Sequence, residues 1–139
     1  MPTCVSILAG HALATVWVTV NDLVDIRFAV DTGSVFTFIS QRAVARTGLE
    51  LVGPFREIPL LTAERMTARV SLGRLQKVQL GTVTLQNVEA GFFPLPVALD
   101  IDGILGLNFL KRYRVTFEFD TSSLVLREFP ARRPTTSNV

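Results

Sequence analysis

One cysteine and one histidine in 139 residues leave room for few kinds of active-site chemistry. Cys4 alone excludes an internal disulfide and any cage of cysteine ligands around a metal. His11 alone excludes Ser-His-Asp and Cys-His catalysis unless it takes part itself, and it stands in a strand-like run with no serine elbow nearby. Lysine is scarce as well: arginine outnumbers it twelve to two, and the net charge is only +2. Nucleic-acid binders usually concentrate their basic residues on one element. Arg27, Arg42, Arg46, Arg56, Arg69, Arg112 and Arg127 are instead scattered among apolar positions, so no nucleic-acid partner is expected. No apolar run reaches the roughly 18 residues of a membrane span, so no membrane partner is expected either. The apolar start, "MPTCVSILAGHALATVWVTV", has no Lys or Arg and passes directly into a strand pattern. It reads as part of the fold rather than as a signal peptide, and the expected location is cytoplasmic.

Apolar residues are abundant. They make up 48% of the chain against 19% charged, enough to exclude disorder over most of its length and to close one core. "TVWVTV" (15–20) and "VDIRFAV" (24–30) alternate on either side of Asn21-Asp22, which predicts a hairpin. "VFTFI" (35–39) predicts a short strand. Ser40 offers an N-cap for a helix over "QRAVART", and Gly48 suits the left-handed position that ends it. Four strands are expected next: "MTARVSL" (66–72), "KVQL" (77–80), "TVTL" (82–85) and "NVEAGFF" (87–93), with Gly81 at a turn or bulge. "GILGLNFLKRY" changes period, placing Leu107, Leu110 and Tyr113 on one helical face. "VTFEF" and "LVLREF" around "DTSS" predict a closing hairpin. The expected fold is all-β, a small closed β-barrel with two short helices, in one domain over 1–129 followed by a loose tail over 130–139.

One stretch stands apart. "FAVDTGSVFTFIS" (28–40) sets a single carboxylate, Asp31, on a tight loop between two apolar strands. Asp and Gly are ordinary turn residues. A surface turn, however, more often has polar flanks than core strands on both sides.

In three features, taken in order, the chain resembles the retropepsin-like aspartic proteases, the single-lobed retroviral type. These are the loop "VDTGS" (30–34), the element Ile104-Leu105-Gly106 followed by "LNFLKRY", and the closing hairpin "VTFEFDTSSLVL". The resemblance runs from about Thr15 to Leu126. It implies an aspartic endopeptidase with Asp31 as the catalytic residue, acting on a peptide or protein substrate. It also implies support of the active-site loop by Thr32, Gly33 and Ser34, with Ser34 bracing the outer carboxylate oxygen and Thr32 hydrogen-bonding to a second loop. Ile104, Leu105 and Gly106 would support that loop from the second motif. A flap hairpin over 58–70 would have its tip at Ala63, Glu64 and Arg65, although no glycine occurs between Gly53 and Gly73.

The residue chemistry agrees. A pair of carboxylates activates water for amide hydrolysis without metal or cofactor, and none is expected here. Only one such loop exists, so Asp31 must meet Asp31 of a second copy, making the expected enzyme a homodimer with its site on the two-fold axis. "TCVSILAG" and "LVLREF" are the expected interface pieces, since the family pairs its termini there. Val30, Phe36, Phe92, Phe93 and Ile104 suggest an apolar groove. Two other acids compete as partners: Asp120 in "FDTSS", where Ser122 replaces the glycine, and Asp102 in "DIDGILG", which in the family is structural. Asp102 as a partner in cis would make the monomer active. A reading from another class remains, a catalytically inactive retropepsin-like module for dimerisation or peptide binding.

Overall fold

Alternating apolar side chains drive most of this chain into strands that curl around their own buried face. The computed structural model describes residues 2–10, 13–61 and 67–130. His11, the flap-tip residues Ala63, Glu64 and Arg65, and positions 131–139 of the expected tail lie outside the described residues. In chain order the strands and helices are β1 (Thr3–Ser6), β2 (Thr15–Val20), β3 (Val24–Val30), β4 (Thr37–Ile39), α1 (Gln41–Thr47), β5 (Val52–Leu61), β6 (Thr67–Leu80) and β7 (Val83–Phe92). A single 3₁₀ turn at Val97–Leu99 leads to β8 (Gly103–Leu105), α2 (Leu107–Leu110), β9 (Tyr113–Glu118) and β10 (Ser123–Glu128). Among the described residues, no helix is long and apolar enough to cross a membrane.

Six strands, in the order β2-β3-β8-β4-β7-β6, close into a barrel, because β6 pairs back onto β2 at Thr19↔Gln79 and Val20↔Val78. The expected small closed barrel is therefore present. Val16, Val18, Val20, Ile26 and Phe28 point inward from β2 and β3 and meet Leu75, Val78, Leu80, Leu105 and Phe109. Each such side chain contributes about 1.5–3 kcal/mol by leaving water. The β2–β3 hairpin turns through Asn21 (φ 55) and Asp22 (φ 53), left-handed conformations whose twist matches the flanking strands. Asn21 Oδ1 also accepts the Lys77 N–H at 3.0 Å, stitching the turn to β6 beside the seam.

Helix α1 has its expected ends. Ser40 Oγ accepts the Ala43 N–H at 3.1 Å, and Gly48 adopts φ 70 as its N–H closes on the Val44 carbonyl. Two expectations are corrected. Instead of four short strands, 67–80 and 83–92 form two long ones, with Gly81 (φ 59) at the turn between them. β6 carries on through Gly73 because β5 pairs with it on one side and β7 on the other. The second helix is a single turn, and Tyr113 belongs to β9, where it pairs with Glu128. The Tyr113 ring still packs on Phe109, with centroids 5.6 Å apart, which accounts for the helical spacing.

The closing hairpin forms as expected, β9 against β10, and β1 adds to it from Thr3↔Leu126 to Ser6↔Ser123. The two terminal segments expected at an interface thus pair with each other inside one chain. Asp120 lies exposed in the β9–β10 turn, where Ser122 takes φ 50, and so belongs to an ordinary hairpin end.

Candidate active site

Strand β3 delivers Asp31 from the barrel interior. It runs parallel to β8, with Phe28↔Gly103, Ala29↔Ile104 and Val30↔Leu105 in register, so Asp31 emerges just past the end of two core strands. The Leu105 carbonyl accepts the Asp31 N–H at 3.0 Å, and the Ser34 N–H turns back to the Asp31 carbonyl at 3.3 Å. Inside this turn, the Gly33 N–H donates to Asp31 Oδ1 at 2.8 Å. That bond fixes the carboxylate at the loop's own backbone. A Cβ on residue 33 would press to 3.1 Å from the same oxygen, so glycine leaves the acid its place.

The outgoing arm of the loop is held by the second motif. The Leu107 N–H donates to the Ser34 carbonyl at 2.7 Å, and the Asn108 N–H to the Val35 carbonyl at 3.0 Å. Thr37, fully buried, donates its hydroxyl to Asn108 Oδ1 at 2.9 Å and accepts the Gly106 N–H at 3.3 Å. Asn108 Nδ2 donates to the Glu89 carbonyl at 2.7 Å. Each side-chain polar atom of Thr37 and Asn108 has a partner in this half-buried cross-link, which makes it rigid. β8 lies between β3, to which it is parallel, and β4, to which it is antiparallel, so two motifs distant in sequence form one platform.

Asp31, Thr32, Gly33 and Ser34 therefore share one loop, with Thr32 and Gly33 exposed at its apex. Leu105 and Gly106 touch the loop or its outgoing arm, and Ile104 lines the cleft beside it. Ser34 departs from expectation: its hydroxyl proton goes to the Phe36 carbonyl at 2.7 Å and not to the acid. Of the segment expected to form a flap, the described residues show two paired strands, β5 with β6 from Ile58↔Val70 to Leu61↔Thr67. Thr37 and Asn108 were not singled out from the sequence. Their signal was a lone polar residue within "VFTFI" and another inside "LNFL".

Asp102 is placed elsewhere. Its N–H donates to the Arg27 carbonyl at 3.0 Å, which sets it four residues before the level of Asp31 along the parallel pair. At about 3.3 Å per residue the two acids sit about 13 Å apart along the strands. The Asp102 carboxylate is enclosed by Arg46 at 3.0 Å, Arg27 and Arg42 at 3.9 Å each, and the Ser40 hydroxyl at 3.4 Å. It is a structural anion that ties the start of α1 to β8. Asp102→Asn should lower stability by about 1–3 kcal/mol, because the arginines lose their shared acceptor but two of them can rehydrate. Urea unfolding measures this, and turnover per folded chain should stay within about twofold of wild type. Loss of turnover in a folded Asp102→Asn chain would contradict that assignment.

Asp31 opens onto a cleft of about 530 Å³ whose walls are Phe36, Phe38, Ile58, Leu60, Phe93 and Ile104. Phe38 and Phe93 pack tilted, 6.0 Å between centroids. Of the residues expected in the groove, Phe36, Phe93 and Ile104 are there, while Val30 and Phe92 pack against the main core. Among the described residues the cleft is an apolar trough with one acid, Asp31, at its mouth.

A closed barrel that presents an Asp-Thr-Gly loop on an interleaved Ile-Leu-Gly strand defines a retropepsin-like aspartic protease fold. The sequence agrees, since the family model described as aspartyl protease matches residues 16–109. This chain belongs to that family. Among solved structures it is similar to a retropepsin-like aspartic protease from Rickettsia conorii, at 24% identity and a TM-score of 0.62, over 91% of this chain and 89% of that one. It is also similar to a retroviral protease-like domain from Leishmania major, at 19% identity and a TM-score of 0.50, over 84% of this chain and 93% of that one. A comparison with curated proteins returned no sequence match.

Proposed function

We propose that this chain is an aspartic endopeptidase, active only when two copies bring their Asp31 loops together across a two-fold axis. One observation supports the reading: among the described residues Asp31 is the one acid at the mouth of the apolar cleft, and Asp102 is about 13 Å away along the strands among arginines. Two carboxylates about 3 Å apart cannot both ionise, so such a pair shares one proton. The ionised member takes a proton from the attacking water while the protonated member polarises the scissile carbonyl. Gly33, without a side chain, lets two loops approach, and the exposed Thr32 hydroxyl is free to bond across the axis. The apolar walls favour hydrophobic side chains around the cut.

A second reading rests on the terminal sheet. Because β1 completes the β9–β10 hairpin in cis, that sheet needs no second copy, as suits a peptide-binding module that never assembles a dyad. Mixing separates the two. Wild type titrated with a folded Asp31→Asn chain should lose activity as mixed pairs form, and specific activity should rise with total protein concentration. Activity that is constant per wild-type chain across both titrations would rule out the shared site. A demonstrated dimer that binds peptides and never cleaves them would establish the module.

A further inference from the structure

One ion pair near the cleft is tied to the reacting loop. Arg56 lies on β5, the strand that leads into the flap hairpin. Its Nε and Nη2 donate to Glu89 Oε2 and Oε1, both at 2.8 Å, in a two-pronged fit that fixes the guanidinium plane. The same guanidinium sits 5.4 Å from the centroid of the Phe36 ring. Phe36 is one of the walls of the cleft. Glu89 is itself anchored, since its carbonyl accepts Asn108 Nδ2 in the cross-link beneath the loop. The Arg56 bond holds the Glu89 carboxyl below the usual glutamate range. Arg74, opposite Glu89 in the β6–β7 register, adds a second positive charge nearby.

An isolated surface ion pair contributes little. This one spans three elements: the flap strand, β7, and the outgoing arm of the Asp31 loop. Phe36 has two side-chain torsions to lose on contact with a substrate, and a ring already held in place loses less. We propose that Arg56, pinned by Glu89, is a positioning residue that holds the Phe36 ring as a fixed wall of the cleft. Through that wall the chain selects an aromatic or long aliphatic substrate side chain over a small one. The inference rests on the peptide-cleft reading above, and extends it to specificity.

The test uses two peptides that differ only in Phe or Ala beside the scissile bond, with the full chain, Arg56→Met, Arg56→Lys and Glu89→Gln. The wild-type preference for Phe in kcat/KM should fall about two- to fivefold in Arg56→Met and Glu89→Gln, mainly through KM for the Phe peptide. Arg56→Lys, which keeps the charge without the fork, should lie between. A merely structural role would instead lower both peptides equally, and an unchanged ratio in folded variants overturns the inference. Affinity for the same peptides is measured in the Asp31→Asn background, where turnover plays no part. A chain that binds Phe selectively through Arg56 and Glu89 but never cleaves overturns the protease reading and upholds the positioning role. A chain that cleaves with a ratio neither variant alters does the reverse, and one that neither binds nor cleaves overturns both.

Discussion

Replacing Asp31 with Asn is expected to lower peptide cleavage by at least about 10³-fold while leaving the unfolding midpoint almost unchanged. The two halves of this outcome have separate causes. An amide cannot take a proton from water, and two facing amides have no proton to share, so the acid–base step disappears from both members of the pair at once. Stability is spared because the native contact is simple: one acceptor oxygen, Asp31 Oδ1, receiving the Gly33 N–H at 2.8 Å. Asn offers the same oxygen in the same place. The residue is also only half-buried, so no charge is left stranded in the core. A peptide-cleavage assay beside a thermal melt measures both halves. Wild-type turnover by a well-folded Asp31→Asn chain would remove Asp31 from the chemistry.

Gly106→Ala should do the opposite, destroying the platform without touching an acid. A Cβ at residue 106 would lie 2.1 Å from the Phe36 carbonyl oxygen, 2.6 Å from its carbon and 2.8 Å from the Ser34 carbonyl oxygen. All three are backbone atoms, so no side chain can rotate aside. Relief requires the outgoing arm of the Asp31 loop to move away from β8. That movement breaks the bond from the Gly106 N–H to Thr37 and the bond from the Leu107 N–H to the Ser34 carbonyl. Overpacking against a rigid wall, with two hydrogen bonds lost, should cost more than about 3 kcal/mol. The melting temperature should then fall by more than about 10 °C. A melt within about 2 °C of wild type would mean that the two motifs do not cross as described.

The contrast between these two substitutions shows what could be read in advance. The Asp31 loop was visible because its neighbours were wrong for a surface turn: apolar strands stood on both sides of a lone acid. The β2–β3 hairpin was visible because alternation and an Asn-Asp pair are local signals, and α1 because both of its caps lie within one residue of its ends. Asp102 shows the other kind of residue. Its role depends on Arg27, Arg42 and Arg46, which in the sequence look like scattered surface charges. The continuity of β6 was hidden for a similar reason, since only pairing on both of its edges carries a strand through Gly73. Ser34 was misjudged because a hydroxyl donates its proton once, and which acceptor wins is a matter of ångströms.

The order of apolar and polar residues was by itself enough to determine an all-β chain with two short helices and an acid set on a tight loop between core strands. Those features arise from side-chain alternation and backbone capping, interactions between residues close in sequence. The tertiary structure alone decided which strands close the barrel, that Gly106 must be bare, that Thr37 and Asn108 lock the loop, and that Arg56 reaches Phe36. Each of these is a contact between residues far apart in the chain, chosen by packing and by hydrogen-bond partners that exist only once the barrel has closed.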